Sequence, residues 1–219
     1  MAILDKEKCG ALIQECYQFF KMLEMELKED IRFYLVDKLV MATLTSNGTS
    51  TGPVHPTSTI WGLTKIASKP LEDEVRVGKI IKVEHSKHEG HGCEVTIAVL
   101  FGLPMVMTGA ILAHEMMHAW FRLRHVANLE PKVEEGICQV IGRKWVDWYE
   151  AKRGGGGRRG DEEAQFEKNL METLKHLVEM DCTEAYGEGF RDAQWAVARY
   201  GLKCTINHIV TYETLPQRS

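Results

Sequence analysis

The chain has 219 residues, of which 44% are hydrophobic and 26% are charged, and its formal net charge is −4. These ordinary globular values exclude wholesale disorder and fibrous structure. The acidic balance argues against a nucleic-acid binder that works by general attraction to phosphate.

At roughly 150 residues per domain, this length predicts a single domain over residues 1–219. We expect an N-terminal helix and sheet subregion at 1–106 and a helical subregion at 107–219. Six cysteines form no C-x-x-C pair, which favours reduced, mostly structural thiols in a cytosolic protein. The N-terminus, MAILDKEKCG, lacks the apolar core of a signal peptide. We therefore expect a cytoplasmic location, with the nucleus left open as a second compartment.

The first predicted element is an amphipathic helix, whose apolar residues follow three- and four-residue steps from Leu12 to Leu27. A short buried strand is predicted at 31–36. A helix follows at 37–44, with Asp37 as its cap. Residues 45–57 are rich in the residue types that favour turns, which predicts a turn segment.

Three strand-like runs come next, at 58–66, 74–84 and 93–101. The apolar residues of the second run alternate only in part, which predicts a bulge near Gly78. Because the link at 85–92 is short and polar, the second and third runs are predicted to form an antiparallel hairpin. The third run is either a plain core strand or the edge strand of a substrate cleft, to which an extended peptide would add.

Residues 95–113 carry no formal charge, but Gly102, Pro104 and Gly109 interrupt them. This stretch predicts a strand, a turn and the buried start of a helix rather than a membrane span. The remainder predicts five helices and one flexible linker, KRGGGGRRGD (152–161); the helices are placed near 107–124, 131–151, 162–180, 184–200 and 203–212. The fold class is α+β, with a small antiparallel or mixed sheet packed beside a predominantly helical body.

The segment AILAHEMMHAWFRLRH (110–125) contains the pattern H-E-x-x-H as His114, Glu115 and His118. On a helix, residues four apart project from nearly the same face, so two imidazoles can meet one zinc ion at about 2.0–2.1 Å. Glu115 lies about 100° round the helix, where it can reach metal-bound water as a general base. The alternative is that backbone carbonyls satisfy both histidines and an arginine satisfies Glu115.

A catalytic zinc needs a third protein ligand and one open position for water. The segment VEEGICQVIG (133–142) supplies two candidates, Glu135 and Glu134, early on the next predicted helix. Helical geometry points them about 100° apart, so only one faces the metal, and Glu135 is favoured. The alternative is that both are solvated charges at a helix start.

A tetrahedral oxyanion also needs a second electrophile. The candidates are Tyr186, which we select as the catalytic one, and Tyr149, His125 and His208.

These residues resemble the gluzincin branch of zinc metallopeptidases, and more closely the C-terminal peptidase domain of the plant growth-regulating "DA-one" family. The resemblance is carried by GLPMVMTGAILAHEMMHAWFRL, VEEGICQVIG and AYGEGFRDAQWAV, and runs from about residue 93 to 212. It implies a zinc-dependent, ubiquitin-activated endopeptidase that cuts regulatory proteins, including ubiquitin ligases, at limited sites and so limits organ growth. Ubiquitin or ubiquitylating enzymes are implied as further partners, with no nucleic acid and no membrane.

Members of that family carry ubiquitin-interacting motifs and a LIM domain ahead of the peptidase. Neither pattern occurs in this sequence, which predicts an excised peptidase domain or a short member. The alternative function is a non-catalytic interaction or decoy module that retains the zinc-site fold. The intact Glu115 favours the enzyme, because a scaffold has no use for a general base.

Overall fold

The computed structural model describes residues 2–3, 5–27, 31–46, 61–67, 69–83, 94–126, 128–153 and 162–217. Within these ranges the chain forms mostly helices and one small mixed sheet, which confirms the predicted α+β class. The chain divides into two compact units, Met1–Arg124 and His125–Ser219. The organisation as a single domain stays a prediction.

The first unit contains four helices and four strands in its described part. In chain order they are α1 (Lys6–Met22), β1 (Ile31–Val36), α2 (Lys38–Ser46), β2 (Gly62–Ala67), α3 (Leu71–Glu74), β3 (Ile80–Val83), β4 (Glu94–Leu100) and α4 (Met105–Leu123). The described part of the second unit is helical. It consists of α5 (Pro131–Arg153), α6 (Glu162–Met180), a π-helix (Glu184–Glu188), α7 (Gly189–Tyr200) and α8 (Leu202–Tyr212).

Two of the early helices begin at capping aspartates. The Asp5 carboxylate accepts a hydrogen bond from the backbone N–H of Lys8 at 2.8 Å. Asp37 accepts one from the N–H of Val40 at 2.9 Å, which confirms it as the cap of α2. Hydrogen bonds from the N–H groups of Val40 and Lys79 hold the pKa of Asp37 below its usual range.

The strand order in the sheet is β2-β4-β1-β3. Strand β1 pairs in parallel with β4 and antiparallel with β3, while β2 pairs antiparallel with β4. The predicted hairpin between the second and third strand runs is therefore wrong, because β1 lies between β3 and β4. Of the two alternatives for the third run, the core strand is the one observed, because β4 pairs with β1 on one side and β2 on the other and its residues from Val95 to Leu100 are buried. Among the described strands, β2 and β3 form the edges.

The run predicted as one strand at 74–84 is divided in the structure. Its first residue ends α3, and only 80–83 forms a strand. Gly78 has a φ of +85° and turns the chain into β3, so the predicted bulge within a strand is wrong. A Cβ on Gly78 would lie 2.6 Å from Val40 Cγ2 and 2.7 Å from Asp37 Oδ1, which fixes the turn against the start of α2.

The uncharged stretch 95–113 forms strand β4, a turn and the first half of α4, as predicted. None of the helices in the described part of the chain combines the length and apolar character that a bilayer span requires. The five later helices lie within two or three residues of their predicted bounds, except that the fourth begins with the π-helix. The predicted turn segment 45–57 and linker 152–161 lie outside the described residues apart from their first two positions, and the link 85–92 lies wholly outside them.

Three of the cysteines, Cys9, Cys16 and Cys138, are buried free thiols, while Cys182 and Cys204 are exposed and also free. Burial, together with the nearby charge of Asp5, raises the pKa of the Cys9 thiol to about 12. A thiol with such a pKa stays protonated and unreactive at neutral pH. These buried thiols behave as small apolar side chains of the core.

Candidate metal site

Helix α4 carries the H-E-x-x-H pattern and is buried over most of its length. It follows Pro104, and 13 of its 19 residues are buried. Gly109 and Ala113 are small, and α4 packs on strands β2 and β4 and on helix α1. Its polar side chains at 114, 115 and 118 are thus held by a rigid helix on a sheet, which is the support that a precise site needs.

The two histidines of α4 lie one turn apart and face one another. Their Nε2 atoms are 3.1 Å apart. His118 is 5% exposed, and His114 is half-buried. Two nitrogen ligands of a tetrahedral zinc with bonds of about 2.0–2.1 Å lie about 3.3 Å apart. The observed separation therefore fits two imidazoles directed at one ion.

Glu115 is 7% exposed and is bound from strand β2. The hydroxyl oxygen of Thr64 lies 2.7 Å from Glu115 Oε2 and 2.9 Å from the Glu115 backbone oxygen. In the part of the chain that the structure describes, the hydrogen bond to the Glu115 carboxylate comes from a threonine rather than an arginine. The Glu115 carboxylate is thus buried and hydrogen-bonded by a neutral hydroxyl.

The two carboxylates of the second unit lie in the first turns of α5. Glu134 and Glu135 are each 5% exposed, so the alternative of two solvated charges is wrong. Gly136 follows them, and a Cβ there would lie 2.3 Å from the backbone oxygen of Gly189. The glycine therefore permits α7 to pack closely on α5.

Among the described residues, His114, His118 and Glu135 form the group of side chains that could hold a metal ion. Two imidazole nitrogens and one carboxylate oxygen are a donor set that suits zinc and leaves a fourth position open. Glu135 is the carboxylate that the sequence analysis favours, and its role as a ligand stays a prediction.

The four candidates for the oxyanion electrophile have different surroundings. Tyr186 is half-buried on the π-helix, a conformation that is frequent at functional sites. Tyr149 is buried and donates its hydroxyl hydrogen to Glu167 at 3.0 Å. His125 is exposed just after α4, with a φ of +59°. His208 packs against the Tyr212 ring on α8, with centroids 4.7 Å apart. The role of Tyr186 stays a prediction.

Sequence reasoning missed two residues of β2, Thr64 and Gly62. Both lie against Glu115, and neither belongs to a motif. Their only signal in the sequence is the two-residue period of a strand, which places positions 62 and 64 on the same face. Which element faces them is decided by the sheet.

A family model described as "DA1-like: Protein DA1" matches residues 22–212. The chain is 35% identical to "Protein DA1-related 1" of Arabidopsis thaliana, over 98% of this chain and 42% of that protein. It is also 35% identical to "Protein DA1" of the same plant, over 95% of this chain and 42% of that protein. A relative in Oryza sativa subsp. japonica, "LIM domain-containing protein HDR3", is 33% identical, over 95% of this chain and 46% of that protein.

The chain thus spans about two fifths of the length of these two Arabidopsis relatives. No solved structure gives a significant match to the chain.

Proposed function

Because the chain belongs to the DA1-like family, we propose that it is a zinc-dependent endopeptidase with a gluzincin-like site. Its substrates in this proposal are regulatory proteins such as ubiquitin ligases, cut at limited sites, and the effect is to limit cell proliferation and organ growth. One observation carries the enzymatic part: two histidines with Nε2 atoms 3.1 Å apart flank a buried glutamate on the same helix.

In this proposal His114, His118 and Glu135 hold one zinc ion. His118 and Glu135 are each 5% exposed, and bonds to a metal ion would offset the cost of removing such side chains from water. When bound, zinc polarises a scissile carbonyl and lowers the pKa of water toward about 7. Three protein ligands leave one position for that water.

Glu115 is the general base in this proposal. It lies between the two histidines in sequence, about 100° round the helix from His114, so its carboxylate does not share their face. Its carboxylate takes a proton from the attacking water and passes it to the leaving amine. Tyr186 is proposed to donate its hydroxyl hydrogen to the tetrahedral oxyanion.

The substrate is proposed to bind as an extended strand along β2. This strand forms one edge of the sheet and packs against α4, which carries Glu115. An edge strand presents backbone N–H and C=O groups with which an extended peptide can pair. The exposed Ile66, at 56%, offers an apolar surface beside that edge. This assignment replaces β4, the strand that the sequence analysis considered for the same role.

The partners and location are proposed from the family resemblance. Ubiquitin or ubiquitylating enzymes are proposed regulators, and the cytoplasm or nucleus the compartment. The decoy function has less support. Glu115 is buried and hydrogen-bonded, and a non-catalytic scaffold has no need of a glutamate at this position.

The proposal is tested by the substitution Glu115→Gln, with Glu172→Gln as its matched control. Glu172 is an exposed carboxylate on α6. The purified chain is incubated with a mixed library of unstructured peptides, cleavage is read by mass spectrometry, and zinc is measured by atomic emission. We expect about one zinc per chain and cleavage that a chelator stops and added zinc restores.

Glu115→Gln should retain zinc and lower cleavage by about 10²- to 10⁴-fold, the usual contribution of a general base. Glu172→Gln should leave zinc and cleavage unchanged. A zinc-loaded wild-type chain that cuts nothing in the library contradicts the peptidase proposal. Full activity of Glu115→Gln contradicts the assignment of the base. Candidate ubiquitin ligases are then offered as protein substrates, which tests the substrate class separately.

A further inference from the structure

Two residues of strand β2, Gly62 and Thr64, lie against Glu115 of helix α4. Gly62 and Thr64 are two positions apart in the strand and therefore point to the same side. Thr64 is 3% exposed, and its hydroxyl oxygen lies 2.7 Å from Oε2 of Glu115. The same hydroxyl lies 2.9 Å from the Glu115 backbone oxygen.

A hydroxyl carries a single hydrogen, whereas an ionised carboxylate only accepts. Both neighbours of the Thr64 hydroxyl are acceptors, and the nearer one is the carboxylate oxygen. A hydrogen bond to a charged acceptor is stronger than one to a neutral acceptor, so the hydroxyl donates to Oε2. This bond fixes the end of a side chain that otherwise has three rotatable bonds.

The other carboxylate oxygen, Oε1, accepts no hydrogen bond in the described part of the chain. It lies beside Gly62, where a Cβ would be 2.7 Å from Oε1 and 2.8 Å from Glu115 Cγ. The same Cβ would be 2.6 Å from Ile111 Cγ2. Contacts this short do not occur between real side chains, so any residue other than glycine would move the carboxylate.

We infer that Thr64 and Gly62 are positioning residues for the general base Glu115. Thr64 holds Oε2, and the absence of a side chain at Gly62 leaves space beside Oε1. The inference rests on the proposed function, because it assigns a role to two residues through the role proposed for Glu115. Neither residue is a proposed metal ligand, so neither is required for zinc to bind in this scheme.

The test compares Thr64→Val, which removes the hydroxyl at nearly constant shape, with Thr64→Ser, which keeps it. The matched control is Thr96→Val on β4. Thr96 is 1% exposed, and its hydroxyl has no hydrogen-bond partner among the described residues. Zinc content, the melting temperature, kcat and KM are measured for each variant, using the peptide of the unstructured library that the wild type cuts fastest.

We expect Thr64→Val to lower kcat by about 10- to 100-fold, the loss expected for one hydrogen bond to a charged group. KM and zinc content should remain at the wild-type values, because the substrate and metal contacts are unchanged. Thr64→Ser should keep kcat within about threefold, as it restores the donor. Thr96→Val should leave kcat, KM and zinc content unchanged. Gly62→Ala should also lower kcat while zinc is retained.

Full kcat in Thr64→Val, together with an inactive Glu115→Gln, would overturn this inference and leave the proposed function intact. An equal loss in Thr64→Val and Thr64→Ser, or loss of zinc from Thr64→Val, would make Thr64 a structural residue and also overturn it. A wild-type chain without zinc-dependent cleavage would overturn the proposed function and this inference with it.

Discussion

Helices α4 and α6 have the same length, 19 residues, and opposite surroundings. Of the α4 residues, 13 are buried, whereas Met171 is the one buried residue of α6. Both helices carry imidazole and carboxylate groups at helical spacing: His114 and His118 on α4, and Glu172 and His176 on α6. The α6 pair lies in solvent.

The difference teaches that ligand spacing by itself does not make a site. On α6 a charged side chain remains hydrated, and Lys175 pairs with Asp147 and Glu150 at 2.8 and 2.7 Å on the surface. Such pairs are common and contribute little. On α4 the same kinds of group are removed from water, which costs free energy unless a partner or an ion compensates. The buried His118 and Glu115 are therefore informative, and the exposed groups of α6 are not.

The largest effect is expected from His118→Ala on α4, with His176→Ala on α6 as its control. Together the two variants test the difference between the helices. Removing His118 takes away one of three proposed zinc ligands, so zinc content and peptide cleavage should fall to background. His176 is exposed on α6, and its removal should change neither quantity. Atomic emission and the peptide-library assay measure both. Zinc retained at one per chain in His118→Ala would break the comparison, because burial would then not have identified a ligand.

The next prediction concerns packing. The same substitution, leucine to alanine, is made at one buried and one exposed position. Leu112 on α4 is 1% exposed, and Leu177 on α6 is 53% exposed. Leu112→Ala should lower the free energy of unfolding by about 2–5 kcal/mol, through lost burial and the cavity left behind. Leu177→Ala should change it by less than about 0.5 kcal/mol. Urea unfolding followed by circular dichroism measures both, and similar losses at the two sites would show that α6 is packed as tightly as α4.

The smallest effect is expected at the ion pairs that join α6 to α5. Partial burial raises the pKa of Asp147, but hydrogen bonds and charges from Arg143 and Lys175 outweigh it and hold the pKa below its usual range. This contribution to stability is therefore present above about pH 4, the pKa of an unfolded aspartate, and is lost as the pH falls below it. About half of the Asp147 side chain is exposed, at 51%, so solvent screens the pairs.

Asp147→Asn should accordingly lower the free energy of unfolding by at most about 1 kcal/mol at pH 7, and by less at pH 3. Thermal unfolding at both pH values, with and without 1 M salt, measures the difference (about 1 M screens charges beyond 3 Å). A larger loss that salt does not reduce would contradict the view of α6 as a solvated helix with surface pairs.

Much of the local structure could be predicted because short-range chemistry specifies it. The strand at 31–36, the capping by Asp37 and the helix at 162–180 have the predicted bounds. Each depends on a few neighbouring residues. The strand depends on an apolar run, the cap on a carboxylate before a helix, and the helix on apolar residues spaced three and four apart. The pattern H-E-x-x-H belongs to the same class, because one helical turn brings His114 and His118 together.

The sheet order could not be predicted, because pairing between strands joins residues far apart in sequence. A short polar link favoured a β3–β4 hairpin, yet β1 lies between these strands and pairs with both. The link length limits which strands can pair but does not choose among them. The prediction at 74–84 failed for a related reason, since Gly78 turns the chain to meet Asp37, which lies 41 positions earlier.

The amino-acid sequence by itself determined the helices, the candidate ligands His114, His118 and Glu135, and Glu115 as the candidate base. The two histidines and Glu115 follow from residue types at fixed helical spacing, which any α-helix converts into geometry, whereas Glu135 was favoured over Glu134 only as a candidate on the next helix. Only the tertiary structure decided that Thr64 and Gly62 lie against Glu115, and that β2 rather than β4 forms an edge of the sheet. The physical reason is that strand pairing depends on which distant elements cover the two faces of each strand. The local sequence pattern does not contain that information.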